Sequence, residues 1–360
     1  MSIIAQSKTI TEAYVRRVKA NPHKVGFRYK KAGDWKEITF QQHFDTTRRL
    51  ACGLIHSGVQ RGDRVCILAN TSLFWSQFDL AVLGAGGITV PVYPTNTPED
   101  TAYIINHSEA GVLFVDDFKN LQKIAAISKD CPKLKKVVVN FELRSEDVKA
   151  NFEILSWNAL HDLGLNEEPS LSAQVDRNHA EAKPDDIFTI CYTSGTTGLP
   201  KGVVLTHSAM ASVMEDVEKI LRGITTEDEF TLTFLPMSHI FGKWESMTPY
   251  FFGWTISFAE SIDSLVANLA EVKPTVWVAV PRIFEKVYTK IQTQVDEAPP
   301  ARQKIFHWAL DVGKQVLDAR AAEAVDALVV VAHDREVAAV AREQAHEFEL
   351  HMVRVLELID

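Results

Sequence analysis

The chain has 360 residues, 46% hydrophobic and 24% charged, with 38 basic against 47 acidic side chains and a formal charge of -9. That length and balance make about two domains of ordinary globular protein and exclude a disordered chain, a collagen-like repeat and a small disulfide scaffold. The acidic total also argues against a general nucleic-acid binder, since such proteins are normally basic.

Gly62-Asp63 reads as a turn leading into a fully buried strand, Val65 to Ala69. Ser72 reads as the cap of a helix carrying Leu73, Phe74, Phe78, Val82 and Leu83. Ile88 to Val92 is a second strand. Pro98-Glu99-Asp100 opens another helix, because proline suits the first turn and acids suit its positive end. Val112 to Val115 and Val137 to Val139 are the third and fourth strands. Such alternation predicts an α/β fold, with parallel or mixed sheets sandwiched by helices.

Residues 163–185 are polar, with Asn166, Glu167, Glu168, Pro169, Ser170 and Pro184, and read as a linker closing a first subdomain, 1–185. Beyond it Ile187 to Tyr192 is a strand, followed by a polar loop, a second strand at Val203 to Leu205 and a helix starting near His207. Phe230 to Leu235 and Thr275 to Val280 are further strand candidates in a second α/β subdomain, 186–316. Composition then breaks: the 44 residues 317–360 hold ten alanines and no glycine, proline or lysine. They read as an atypical helical tail with Val337, Val340, Phe348, Met352, Val355 and Leu356 as its apolar positions, either a natural extension or a foreign ending.

Cys52, Cys66, Cys131 and Cys191 form no Cys-x-x-Cys pair, which argues against zinc and redox spacings and fits buried thiols in a reducing compartment. Met1 to Lys8 has no basic segment followed by an apolar stretch, so no signal peptide is expected. The longest apolar run, Leu80 to Tyr93, is too short to span a bilayer and contains Gly84, Gly86 and Gly87. The expectation is a cytoplasmic protein, with peripheral membrane contact left open.

The segment that carries chemistry is Tyr192-Thr193-Ser194-Gly195-Thr196-Thr197-Gly198-Leu199-Pro200-Lys201-Gly202-Val203, set between two apolar β-runs. Its glycines allow a tight turn and close approach to a ligand. Its hydroxyls, successive backbone N–H groups and Lys201 suit a polyphosphate. A Walker loop would need Gly-Lys-Ser/Thr leading into a helix, whereas here β-branched residues follow the lysine. The rival readings are a hairpin that merely faces water, and a different phosphate-binding protein whose loop opens a helix.

This segment closely resembles the signature phosphate loop of the adenylate-forming, acyl-activating superfamily, which includes acyl-CoA ligases, luciferases and peptide-synthetase adenylation domains. Gly62-Asp63-Arg64-Val65, Val90-Pro91-Val92-Tyr93-Pro94-Thr95 and Leu235-Pro236-Met237-Ser238-His239-Ile240-Phe241-Gly242 look like further motifs of the same superfamily. Val280-Pro281-Arg282-Ile283-Phe284-Glu285-Lys286 is similar to a stretch of its bacterial long-chain fatty-acyl-CoA ligases. The resemblance spans roughly residues 10–316 and is to the N-terminal part of such enzymes.

It implies an AMP-forming ligase that joins a fatty acid to ATP as an acyl-adenylate and then to coenzyme A, using Mg²⁺. Thr193, Ser194, Gly195, Thr196, Thr197, Gly198 and Lys201 would hold the ATP phosphates, with Thr193 also close to Mg²⁺. His239 would lie near acyl substrate and adenylate, against the alternative of a satisfied core residue. Trp244 is a weaker candidate for the wall or gate of an acyl channel, against simple core, and Arg282 for steering an anion, against a surface or capping role. No match to the family's adenine, ribose and second-step motifs follows Arg282, and no lysine follows Lys314. The sequence therefore also admits a truncated or frame-altered, non-catalytic chain that at most binds nucleotide or acyl group.

Overall fold

The apolar runs at 65–69, 88–92, 112–115 and 137–139 become neighbouring strands of one sheet. The computed structural model describes residues 2–143, 148–193 and 198–321. In chain order its strands are β1 (Val25–Lys31), β2 (Asp34–Thr39), β3 (Arg64–Leu68), β4 (Ile88–Val92), β5 (Val112–Val115), β6 (Lys136–Val139), β7 (Glu153–Ser156), β8 (Ile187–Thr193), β9 (Lys201–Thr206), β10 (Phe230–Thr233) and β11 (Thr255–Phe258). The seven-stranded sheet has the order β7-β6-β5-β3-β4-β8-β9 and is parallel except at β8–β9. The four-stranded sheet has the order β10-β11-β1-β2 and is antiparallel only at β1–β2. Each sheet takes strands from both sides of residue 185, so the stretches 1–185 and 186–316 interlock.

Local chemistry sets the connections. Ser72 Oγ accepts from the Trp75 N–H at 3.2 Å and starts the helix Leu73–Gly84. That helix is buried nearly all round, because it lies between the sheets, against β1 on one side and β3 and β4 on the other. Thr97 caps the helix Pro98–Ser108, whose first turn carries Pro98, Glu99 and Asp100 as expected. Thr206 caps the helix His207–Leu221. All four cysteines are buried and free, and burial pushes the Cys66 thiol up to about 12.

Two expectations are corrected. Residues 163–181 are not a linker: they belong to a helix, Trp157–Glu181, with Pro169 inside it. This helix crosses the helix Phe40–His56 with backbones almost touching. A Cβ on Gly164 would meet the Arg49 carbonyl oxygen at 1.7 Å, and one on Gly53 would meet that of Leu160 at 2.3 Å. Arg48 pairs with Asp176 and Glu168, and Arg49 with Glu168, beside a buried stripe of Trp157, Leu160 and Val175. Thr275 to Val280 is not a strand. Only its first two N–H groups reach β10, both at the Phe230 carbonyl, and Trp277 packs between Phe234 and Phe284.

Strands β1, β2, β7 and β11 were not read from the sequence. Ala32 at φ 53° and Gly33 at φ 87° make the β1–β2 turn, the paired left-handed geometry of a tight hairpin. Among the described residues no helix is long and apolar enough to cross a membrane. The tail positions Val337 to Leu356 lie outside the described residues.

Candidate active site

The polar loop joins two strands, as expected, and does not open a helix. β8 and β9 pair antiparallel, with Tyr192 opposite Gly202 and Thr193 opposite Lys201. Thr193 and Lys201 are exposed side by side where the hairpin opens. Gly198 has φ +132°, a conformation that disfavours any other residue. Ser194, Gly195, Thr196 and Thr197 lie outside the described residues. Below the opening, the Tyr192 hydroxyl meets His107 Nδ1 at 2.7 Å, and burial pushes the phenol up to about 12. Tyr192 therefore anchors the strand end to the helix Pro98–Ser108. Gly202 makes room for it, since a Cβ there would meet the Tyr192 ring at 3.2 Å.

The parallel strands β3, β4, β5 and β8 all end on the same edge, where ligands of open α/β sheets bind. β3 leads to β4 on one side and β5 to β6 on the other, so the connections diverge between β3 and β5. Just beyond them, Asp116 Oδ2 accepts from the Asn70 N–H at 2.7 Å and Nδ2 at 3.1 Å. Burial raises the Asp116 carboxyl above its ordinary value, and its Oδ1 has no partner among the described residues.

His239 follows β10 of the small sheet but is held on the large one. The Thr71 hydroxyl donates to the Leu235 carbonyl at 2.6 Å and accepts from the Met237 N–H at 3.2 Å. Ser238 Oγ donates to the Val92 carbonyl at 3.2 Å, at the end of β4. β4 neighbours β8, so the His239 turn and the Thr193–Lys201 opening share one sheet edge. The His239 ring is exposed, which sets aside the core reading. Its Nδ1 accepts from the Phe241 N–H at 3.1 Å and caps the helix Ile240–Ser246. A neutral imidazole with Nδ1 as acceptor carries its proton on Nε2.

That helix is pinned from below. Lys243 Nζ lies 2.7 Å from Asp79 Oδ1, with the two side chains 0% and 1% exposed. Thr89 donates to the same oxygen at 2.5 Å, and the ammonium faces the rings of Trp75 at 4.9 Å and Phe188 at 5.4 Å. Among the described residues Glu245 pairs with no cation; it accepts from the Thr233 hydroxyl at 2.7 Å and the Thr231 hydroxyl at 3.4 Å, and burial pushes its carboxyl up to about 8. Trp244 is half-buried, stacks on Phe241 and leaves Nε1 buried without a partner among the described residues. Arg282 is exposed near the start of the helix Pro281–Asp296.

Thr71, Asp79, Lys243 and Glu245 escaped the sequence reading. The available signal was charge inside apolar runs: Asp79 between Phe78 and Leu80, and Lys243 and Glu245 around Trp244.

The family model described as AMP-binding enzyme matches residues 14–338. The mouse (Mus musculus) long-chain-fatty-acid–CoA ligase ACSBG2 is 35% identical over 289 residues, which cover 78% of this chain and 42% of that protein. The Mycobacterium bovis long-chain-fatty-acid–CoA ligase FadD15 is 33% identical over 270 residues, covering 75% of this chain and 43% of that protein. The chain thus spans about two fifths of the length of these curated relatives. Among solved structures, the N-terminal domain of FACL13 from Mycobacterium tuberculosis superposes with a TM-score of 0.63 at 21% identity, over 78% of this chain and 64% of that one. The A domain of the carboxylic acid reductase of Segniliparus rugosus, solved with AMP and a co-purified carboxylic acid, gives 0.67 at 15% identity, over 83% and 53%. These two likenesses support the α/β architecture. The family match runs through both sheets, the β8–β9 hairpin and the turn before His239, and this chain is therefore a member of the AMP-binding enzyme family.

Proposed function

We propose that this chain carries the nucleotide-gripping part of an AMP-forming ligase that activates a long-chain fatty acid and passes it to coenzyme A. The observation that carries the reading is the hairpin that sets the Thr193 hydroxyl opposite the Lys201 ammonium, both exposed at the carboxyl edge of a mostly parallel sheet. Relatives named as long-chain-fatty-acid–CoA ligases support the choice of acid.

In the first step a carboxylate oxygen bonds to the α-phosphorus of ATP, the bond to the β-phosphate oxygen breaks, and pyrophosphate leaves. Two anions must meet, so fixed cations and donors dominate the catalysis. Lys201 and Thr193, with Ser194, Gly195, Thr196, Thr197 and Gly198 between them, would hold the phosphates. The His239 Nε2–H would donate to an anionic oxygen of the acid or adenylate. In the second step the coenzyme A sulfur bonds to the acyl carbon, the bond from that carbon to the phosphate oxygen breaks, AMP leaves and the thiol proton passes to water.

Among the described residues no group of three His, Cys, Asp or Glu side chains is arranged to hold a metal ion. The Thr193 hydroxyl would fit a magnesium ion that arrives on the nucleotide phosphates and keeps several waters. When bound, that ion neutralises phosphate charge.

The test is pyrophosphate release on adding fatty acid, ATP, Mg²⁺ and coenzyme A. Release above background that requires the fatty acid supports the reading, and none rejects it for this chain. Lys201→Ala is expected to lower the rate about 100-fold, the scale of losing one donor to developing charge. Unchanged turnover in that variant would remove Lys201 from the site.

A further inference from the structure

Two hydrogen bonds at one residue outside the motifs join the large sheet to the turn before His239. Thr71 lies just beyond β3 in the large sheet, yet its hydroxyl makes two hydrogen bonds to the turn that follows β10 in the small one, to the Leu235 carbonyl at 2.6 Å and from the Met237 N–H at 3.2 Å. The preceding Asn70 is bonded twice to Asp116 beyond β5. The turn closes on the next functional residue, with the His239 N–H donating to the Pro236 carbonyl at 2.9 Å. Gly242 lets the helix that His239 caps press onto that turn: a Cβ there would meet the Pro236 oxygen at 2.3 Å.

We propose that Thr71 is a positioning residue for His239: its hydroxyl ties the Leu235–Met237 turn to the carboxyl end of β3 and so sets where the imidazole Nε2–H points. A hydroxyl is required because one atom must both donate to a carbonyl and accept from an N–H of the same turn. Valine has the same shape but can do neither, and leaves two backbone groups of the turn unsatisfied. Ser238, bonded to Val92, is the second tie on the same turn. The role in turnover rests on the ligase reading, whereas the positioning of the ring does not.

The experiment therefore has two arms on the full chain. In the first, ¹⁵N-histidine spectra report the His239 tautomer, with the signal assigned by its loss in His239→Asn. Wild type and Thr71→Ser are expected to share the Nε2–H form, and Thr71→Val to lose it in part. In the second, Thr71→Val is expected to lower kcat about tenfold, the scale of one neutral hydrogen bond, with the KM for ATP little changed and serine restoring the rate. A wild-type His239 signal in Thr71→Val overturns the proposal. Should Thr71→Val not fold, Thr71→Ala, which also lacks the hydroxyl, takes its place, and an unmoved His239 signal there overturns it equally. Absence of pyrophosphate release by the wild type defeats the ligase reading and leaves the first arm to decide Thr71.

Discussion

β3 and β9 belong to one sheet and follow opposite rules. Val65, Cys66, Ile67 and Leu68 of β3 are all 0% exposed, whereas Val203 and Val204 of β9 are 44% and 51% exposed. β3 has a parallel neighbour on either side and helices over its faces; β9 pairs only with β8, at the sheet's margin. The difference shows where stability and presentation are divided. The interior strands hold the scaffold rigid, and the margin leaves Lys201 exposed.

The most damaging change should fall where the two sheets are pinned together. Asp79→Ala strands the buried Lys243 ammonium and is expected to cost about 3–5 kcal/mol. Replacing both partners by apolar residues, Asp79→Leu with Lys243→Met, should restore much of it. Denaturant midpoints check both, and a loss below about 1 kcal/mol in the single variant would show the pair to be no anchor. The strand contrast itself is sharpened by Ile67→Ala, expected to cost about 2–5 kcal/mol, against Val203→Ala, expected to stay within about 0.5 kcal/mol. Equal losses in those two would erase the distinction.

A smaller effect depends on pH. The Glu245 carboxyl titrates near 8 in the fold and at 4.5 as an ordinary glutamate, so between those values the unfolded chain has released a proton that the fold retains. Its contribution to stability therefore falls as pH rises through that window, by at most about 1.4 kcal/mol per pH unit. Glu245→Gln lacks that slope, and its Tm relative to wild type should rise between pH 5.5 and pH 7.5. A constant gap would mean that Glu245 is not protonated in the fold. Burial holds His43 at about 3 and His179 and His207 at about 4, so these favour folding less as pH drops below 6.5. They are common to both proteins and cancel in the comparison.

The same contrast explains what was legible in the sequence. Strands such as β3 and β5 are continuous apolar runs because both faces are covered, and Ser72 and Pro98 announce the helices between them. The β8–β9 loop was legible because its glycines, hydroxyls and lysine cluster in one short stretch. The helix Trp157–Glu181 was hidden because Pro169 and the polar run Asn166 to Ser170 interrupt its apolar positions Trp157, Leu160, Leu171 and Val175. Thr275 to Val280 misled in the opposite sense: its apolar side chains fill a cluster beside β10 without forming a ladder. Thr71 was invisible because its partners lie 164 and 166 positions away.

The cap made by His239 bears on how its contribution is to be measured. One nitrogen of the ring bolts down the first turn of a helix, and the other, on the ligase reading, is what a bound acid would meet. Truncation to alanine removes bolt and donor in a single stroke, so the resulting deficit belongs to neither alone. Asparagine, a strong cap that lacks the distal nitrogen, separates them, and whatever deficit remains in that variant measures the proton donor by itself.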